Sequence, residues 1–175
     1  MTAPEFSRPV RIDTIGEAAR RLSVEAEEGE RIALARRFGL IAIDRLAADL
    51  SLARKGGDIA MDGSLSAKVV QACVATGAPL EAAIGVPFDL VFRPQPELAG
   101  PEEEIELAPD ELDVIFYDSG TIDVGEAVAE TLLLNLDPYP RAPGAEEALR
   151  EAGVKSEGEA GPFGALAALR DKLGK

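Results

Sequence analysis

The stretch IGVPFDLVFR, residues 84–93, decides the fold class because its large apolar residues alternate with other residues. Side chains in a β-strand point to opposite faces in turn, so this period of two predicts a strand with one buried face. Pro87 lies on the other face and has no N–H to give to a neighbouring strand. The strand is therefore expected at the edge of a sheet or beside a bulge.

Similar patterns extend toward the N-terminus. In RLAADLSLAR, residues 45–54, four apolar residues share one face. The stretch DIAMDGSLSAKVVQACV, residues 58–74, predicts two further strands, broken near the turn signal Asp62-Gly63. Residues 42–93 are therefore predicted to form an antiparallel meander. RPVRIDTI, residues 8–15, and RLSVEA, residues 21–26, are candidates for additional strands.

One short helix is predicted before the meander, in EEGERIALARRFGL, residues 27–40. Ile32, Ala35 and Phe38 would share its buried face, and Gly39 would end it.

A second helix is predicted after the meander, from about Val124 to Leu136. Asp123 is placed to cap it, Glu126 stands at the capping-box spacing, and Pro138 lies just beyond its end. The predicted fold is thus α+β: an antiparallel meander in a partly closed sheet, two or three packed helices and a flexible C-terminal tail.

Three regions are expected along the chain. Residues 1–140 would form a single α+β domain. Residues 141–162 hold little that can be buried and are expected to be a flexible acidic linker. Residues 163–175 predict a short amphipathic helix with one apolar stripe, formed by Phe163, Leu166, Leu169 and Leu173.

The charge is distributed unevenly. The net charge is −14, yet residues 1–70 hold eleven Lys and Arg against eleven Asp and Glu, whereas residues 71–175 hold seven against twenty-one. Contact with a polyanion would need a local basic patch, for which Arg31, Arg36 and Arg37 with Arg45 are the candidates. The acidic half is better matched to a basic protein, or serves only solubility.

The residues give no catalytic pattern. The chain has no histidine, which excludes imidazole-based catalysis, and it has no phosphate-binding glycine motif. Cys73 shares a strand face with Leu65, Ala67 and Val69, so it is expected to be a buried core residue with a raised thiol pKa. No cofactor and no metal is expected. The lack of a membrane span or signal segment favours a cytoplasmic protein.

The order of several segments resembles the YceD family, the large ribosomal RNA subunit accumulation proteins of bacteria and plastids. The segments are MDGSLSAKVVQACVATGAPLEAAI (61–84), FDLVFRP (88–94), IDVGEAVAETLLLNLDPYP (122–140) and GPFGALAALRDKL (161–173). The matching motif positions are Cys73, Asp123, Glu126 and Pro140. Family members commonly have C-x-R-C at residues 73–76, and some have a further His-Cys near residues 139–144. This chain has only the first cysteine, so no metal or redox role carries over.

The resemblance implies a non-enzymatic factor that supports accumulation of large-subunit ribosomal RNA. Its partner would be a precursor of the large ribosomal subunit, through RNA or a basic ribosomal protein, without a membrane or a small-molecule substrate. A generic acidic adaptor for a basic protein unrelated to ribosomes is the alternative. A small enzyme using carboxylates is the weakest hypothesis, because no motif places a pair of titratable residues.

The terminal stripe of residues 163–175 needs a surface on which to fold. A helix of this length is unstable alone in water, so it must fold on a surface, either a partner's groove or this protein's own sheet. We expect that deleting residues 161–175 leaves the thermal midpoint unchanged and abolishes co-sedimentation with large-subunit precursors. A midpoint lowered by several degrees would show instead that the helix packs on its own protein.

Overall fold

The computed structural model describes residues 4–96 and 113–154. Their contacts divide them into two compact units. The first unit comprises the described parts of Met1–Gln71 and Glu81–Pro138, and the second those of Ala72–Leu80 and Tyr139–Lys175. The terminal stripe of residues 163–175 lies outside the described residues, as do the predicted linker residues 155–162.

The described residues confirm an α+β fold. In chain order the strands are β1 (Pro9–Arg11), β2 (Arg20–Glu25), β3 (Ala42–Lys55), β4 (Asp58–Ala72), β5 (Pro79–Pro94), β6 (Val114–Tyr117) and β7 (Thr121–Asp123). The helices are α1 (Glu28–Phe38), α2 (Val124–Leu134) and α3 (Ala145–Glu151), with one 3-10 turn at Ile12–Thr14.

Two sheets are built from these strands. The larger has the order β2-β3-β4-β5-β6, and β1 pairs with β7 in a separate antiparallel ribbon. The predicted meander is confirmed as β3-β4-β5, and both candidate strands near the N-terminus are present as β1 and β2. The expectation of a partly closed sheet is wrong for the described residues, because β2 and β6 end the larger sheet without pairing to each other.

The predicted break at Asp62-Gly63 is also wrong, because β4 runs through it. The hairpin turn lies at Gly56-Gly57 instead, where Lys55 pairs with Asp58 and Gly56 has a φ of 65°, in the left-handed region that favours glycine. Gly63 instead allows the close approach of β3 to β4. It pairs with Leu50 of β3, and a Cβ added there would lie 2.9 Å from the Leu50 Cα and against the Asp49 carbonyl oxygen.

Strand β5 contains the stretch 84–93, and its burial alternates from Pro79 to Leu90. Phe92 is buried, whereas the apolar residues before it on the same face are only half-buried. Pro87 does lie in an edge segment: among the described residues, β6 pairs with β5 only at Val91–Pro94.

Helix α1 forms where predicted, with Gly39 as its left-handed cap. Its buried face differs from the predicted one. Leu34 and Ala35 are buried, Phe38 is half-buried and Ile32 is 49% exposed. A period of 3.6 identifies a stripe but does not say which side of the stripe meets the sheet.

Helix α2 begins at the predicted residue and ends two residues early, at Leu134. Val124, Val128 and Leu132 are fully buried. They join a core that also contains residues of the N-terminal segment and of β3 and β4. Its members there include Phe6, Leu46, Leu52, Ile59, Met61, Leu65 and Val69.

The second unit holds the turn after β4 and helix α3. Its described residues include an α-helix within the span that the sequence assigned to a linker, and Ala145 at the start of that helix is 2% exposed. Among the described residues of both units, no helix combines the length and the apolar character needed to cross a bilayer.

Gly63 and Gly85 are both strand glycines, and they make a matched pair for a test. We expect Gly63→Ala to lower the free energy of unfolding by roughly 1–3 kcal/mol, because its Cβ would meet backbone atoms of β3. Gly85→Ala should be neutral or slightly stabilising, because no atom of the described residues, apart from Gly85 and its two chain neighbours, lies within 4 Å of the added Cβ. Urea unfolding of both variants measures the difference, and equal midpoints would contradict it.

Candidate partner-binding groove

A groove of about 380 Å³ lies between α1 and the start of β3 in the first unit. The chain leaves α1 at Gly39 and turns back sharply, with the Leu40 N–H donating to the Ala35 carbonyl and the Ile41 N–H to the Val70 carbonyl. This reversal brings α1 beside the first residues of β3. Two large apolar side chains remain uncovered at the groove, Ile32 at 49% and Ile41 at 53% exposed.

Charged side chains frame the apolar part of this groove. Arg31 and Arg36 line it together with the acidic Glu28 and Asp44. The Arg31 guanidinium donates to the Ala26 carbonyl at 2.7 Å, which fixes its direction. Arg36 is exposed. An uncovered apolar centre with a charged rim is the usual anatomy of a macromolecular interface.

The structure therefore brings two of the four candidate arginines into one groove. Arg37 points elsewhere: its guanidinium pairs with Glu126 at 2.6 Å and with Glu5 at 3.0 Å. Arg45 is exposed on β3, 3.7 Å from Glu25. The side chain of Arg37 thus links α1 to α2 and to the N-terminal segment.

The motif position Asp123 forms a hub in the same unit. Its Oδ1 atom accepts from the N–H groups of Gly125 and Glu126, which caps α2 as predicted, and also from the Arg8 N–H at 2.7 Å. Its Oδ2 atom accepts from the Ser7 hydroxyl. One carboxylate thus holds both the first turn of a helix and a segment 115 residues earlier in the chain.

Gly125 and Glu126 complete that hub. A Cβ at Gly125 would collide with the Phe6 carbonyl oxygen, so only glycine lets the N-terminal segment lie this close to α2. Glu126 was predicted to close a capping box, but its carboxylate pairs with Arg37 instead. Among the helices that the structure describes, the capping box is at α1, between Glu27 and Glu30.

Arg8 connects the hub to α1. Its guanidinium forms a two-pronged pair with Glu30 at 2.6 and 2.8 Å and lies 4.7 Å from the centre of the Phe6 ring. The Arg8 guanidinium lowers the pKa of Glu30. No sequence motif marks Ser7 or Arg8, because their partners are far away in the chain.

Cys73 lies in the second unit, in the turn after β4, and is 2% exposed as predicted. Its backbone closes the turn: the N–H donates to the Ala78 carbonyl, and the carbonyl accepts from Gly77. The thiol sulfur accepts from the Ala142 N–H at 3.3 Å. The motif position Pro140 contributes its carbonyl to the Val74 N–H at 2.9 Å.

The expected rise in the Cys73 pKa is wrong. The Ala142 N–H, followed by the Thr76 hydroxyl and nearby backbone groups, lowers the pKa of the thiol to about 7. These donors stabilise the thiolate and outweigh the burial, which opposes them. A sequence pattern records the face that carries a cysteine but not the donors that a distant segment brings to it.

Possible metal ligands do not cluster in the part of the chain that the structure describes: no three His, Cys, Asp or Glu residues there are arranged to hold an ion. Ile32 and Ile41, the two exposed large apolar residues of the groove, were not predicted from the sequence as site residues. The one indication in the sequence was that Ile32 belonged to the predicted buried face of α1.

A comparison with protein families matches residues 61–170 to the family described as "Large ribosomal RNA subunit accumulation protein YceD". The matched range covers well over half of the chain and contains the Cys73, Asp123, Glu126 and Pro140 positions. No curated protein and no solved structure matches the chain.

The environment of Cys73 predicts a pH-dependent stability. Because the pKa is lowered in the folded protein, the thiolate stabilises the fold fully above the ordinary thiol pKa near 9, and this contribution is lost as pH falls through about 7. Relative to Cys73→Ala, the urea midpoint of the unaltered protein should therefore rise between pH 7 and pH 9. Thiolate absorbance gives the pKa directly, and a value near 9 would contradict the prediction.

Proposed function

Because this chain belongs to the YceD family of large ribosomal RNA subunit accumulation proteins, we propose that it is a non-enzymatic factor in assembly of the large ribosomal subunit. The family match is the observation that carries this proposal. The factor binds a precursor of the subunit in the cytoplasm and so supports accumulation of its RNA. It uses no cofactor and no small-molecule substrate.

The groove between α1 and β3 is the contact surface that we propose for the precursor. Two exposed isoleucines provide apolar area, which is the main source of affinity when an interface closes. Arg36 is exposed at the rim and is available to a phosphate or a carboxylate. Charges more than about 8 Å away are largely screened at physiological salt, so the charges that line the groove itself matter most for this local contact.

The alternative, an acidic adaptor for a basic protein unrelated to ribosomes, is favoured by one observation. Residues 71–175 hold twenty-one acidic residues against seven basic ones. The two functions differ in what cells lose without the protein. If the protein is an assembly factor, cells without it should show a deficit of large subunits in a sucrose gradient. If it is an unrelated adaptor, their profile should be normal.

Complementation of such cells tests the groove. We expect a variant with Ile32→Ser and Ile41→Ser to restore large subunits poorly and to co-sediment with precursors at least fivefold less, because the apolar contact is lost. The substitutions should change stability little, since both side chains are about half exposed in the free protein. Arg36→Glu should weaken co-sedimentation most at low salt.

Two control variants match these changes elsewhere in the first unit. Leu134→Ser removes another exposed apolar side chain, which is 84% exposed at the end of α2. Lys55→Glu reverses an exposed charge at the opposite end of β3. Both should restore a normal gradient. If the groove variants also restore it while cells without the protein lack large subunits, the family function stands and the groove assignment is wrong.

A further inference from the structure

The outer edge of β5 provides a second surface that the proposed function does not use. Strand β4 covers one side of β5. On the other side, among the described residues, β6 pairs with β5 only at Val91–Pro94. The segment Glu81–Leu90 is therefore open along its outer side within the described structure.

The backbone of this segment points hydrogen-bonding groups outward. The Val91 N–H donates to the Asp113 carbonyl and the Gln95 N–H to the Tyr117 carbonyl, so these positions face the β6 side. The burial of β5 alternates without interruption from Pro79 to Leu90, so every second residue before Val91 faces the same way. The outward N–H groups are those of residues 81, 83, 85 and 89.

Pro87 lies four positions before Val91, so its backbone nitrogen points to the same side of the strand. Its missing N–H therefore falls on the open side and costs no bond to β4, which explains how a proline sits inside this strand. Proline is also a common guard against uncontrolled pairing of edge strands. The row of outward N–H groups is therefore interrupted at Pro87 and continues before and after it.

The core face of this edge is incompletely covered. Ala82, Ile84, Val86, Phe88 and Leu90 are half-buried, whereas the matching residues of the neighbouring β4, Leu65, Ala67 and Val69, are 1–2% exposed. An additional strand beside β5 would cover the apolar row from its open side. Strand addition would thus supply both hydrogen bonds and apolar burial.

The charge at this edge selects the partner. On the solvent face of the segment the charged residues are Glu81 and Asp89, both acidic, and the chain continues into residues 97–112, which hold seven acidic residues and no basic one. A strand with lysine or arginine on one face and apolar residues on the other complements this surface. Nucleic acid lacks the N–H and C=O ladder that the edge offers, and its phosphates would meet these carboxylates.

We propose that the β5 edge, Glu81–Leu90, binds an extended basic segment of a protein by adding it as a strand. This inference goes beyond the groove and supplies a second point of attachment. If the protein acts in ribosome assembly as proposed, the edge would hold a basic protein while the groove contacts the precursor.

Binding of short peptides to the full chain tests the edge without reference to ribosomes. The probe is a labelled eight-residue peptide of alternating lysine and valine, and the control peptide alternates glutamate and valine. Fluorescence anisotropy should show binding of the lysine peptide only. Hydrogen exchange followed by NMR should show fast exchange at the amides of residues 81, 83, 85 and 89 in the free protein and slowed exchange when the peptide binds.

Paired substitutions separate backbone from charge. Ala83→Pro removes one outward N–H and should weaken binding about tenfold, whereas Ala83→Val keeps the N–H and should bind within about twofold of the unaltered protein. Glu81→Lys with Asp89→Lys leaves the backbone unchanged and should reverse the peptide preference. This second pair keeps the test decisive if Ala83→Pro does not fold, as judged by circular dichroism.

Three outcomes would overturn the proposal. The first is peptide binding that leaves the four amides unprotected, which would indicate attraction by charge alone. The second is protection of these amides already in the free chain, which would mean that residues of the protein itself occupy the edge. The third is displacement of the lysine peptide by an eight-nucleotide uridine RNA with protection of the same amides. None of them bears on the gradient test of the groove.

Discussion

The carboxylate of Asp123 holds together parts of the first unit that the chain itself keeps far apart. It accepts hydrogen bonds from the first turn of α2 and from the backbone and side chain of residues 7–8. A carboxylate with four donors is well satisfied in this partly buried position, and removing it would leave several of those donors unpaired. Strand β1 pairs with β7 at this anchor, where Pro9 lies opposite Asp123, and the buried Phe6 directly precedes the two anchored residues.

The residues around Asp123 each have a structural role. Ile122 is buried, Asp123 anchors, Gly125 permits the close approach of the Phe6 backbone, and Glu126 pairs with Arg37. Residues 122–126 therefore join the N-terminal segment, α1 and α2. The features that we assign to binding, the groove and the open edge of β5, lie outside this segment.

Local patterns were sufficient to predict much of the fold. Alternation located β3 and β5, and an aspartate before an apolar run located α2, because burial and capping act on neighbouring residues. The prediction failed where the deciding contact comes from elsewhere in the chain. Gly63 resembles a turn residue until Leu50 is placed opposite it, and Ile32 resembles a core residue until the orientation of α1 is known.

The candidate site was predictable only in part for the same reason. Because the net charge is −14, contact with a polyanion would need a local basic patch, and two of the four candidate arginines do line the groove. Arg37 was indistinguishable from Arg36 in sequence, yet it pairs with two glutamates from distant segments. The exposed isoleucines could not be identified before the turn at Gly39 was known, because exposure is a property of the packed chain.

The pairing of the N-terminal segment with Asp123 has a consequence for synthesis of the protein. The Arg8 N–H cannot reach its acceptor until a residue 115 positions later has been made. At typical elongation speeds of about 5–20 residues per second, this delay is on the order of ten seconds. During that time the segment that carries Phe6 lacks its partner, so the nascent chain exposes an apolar side chain that is buried in the finished protein. The first residues of the chain therefore reach their native positions only after Asp123 has been made.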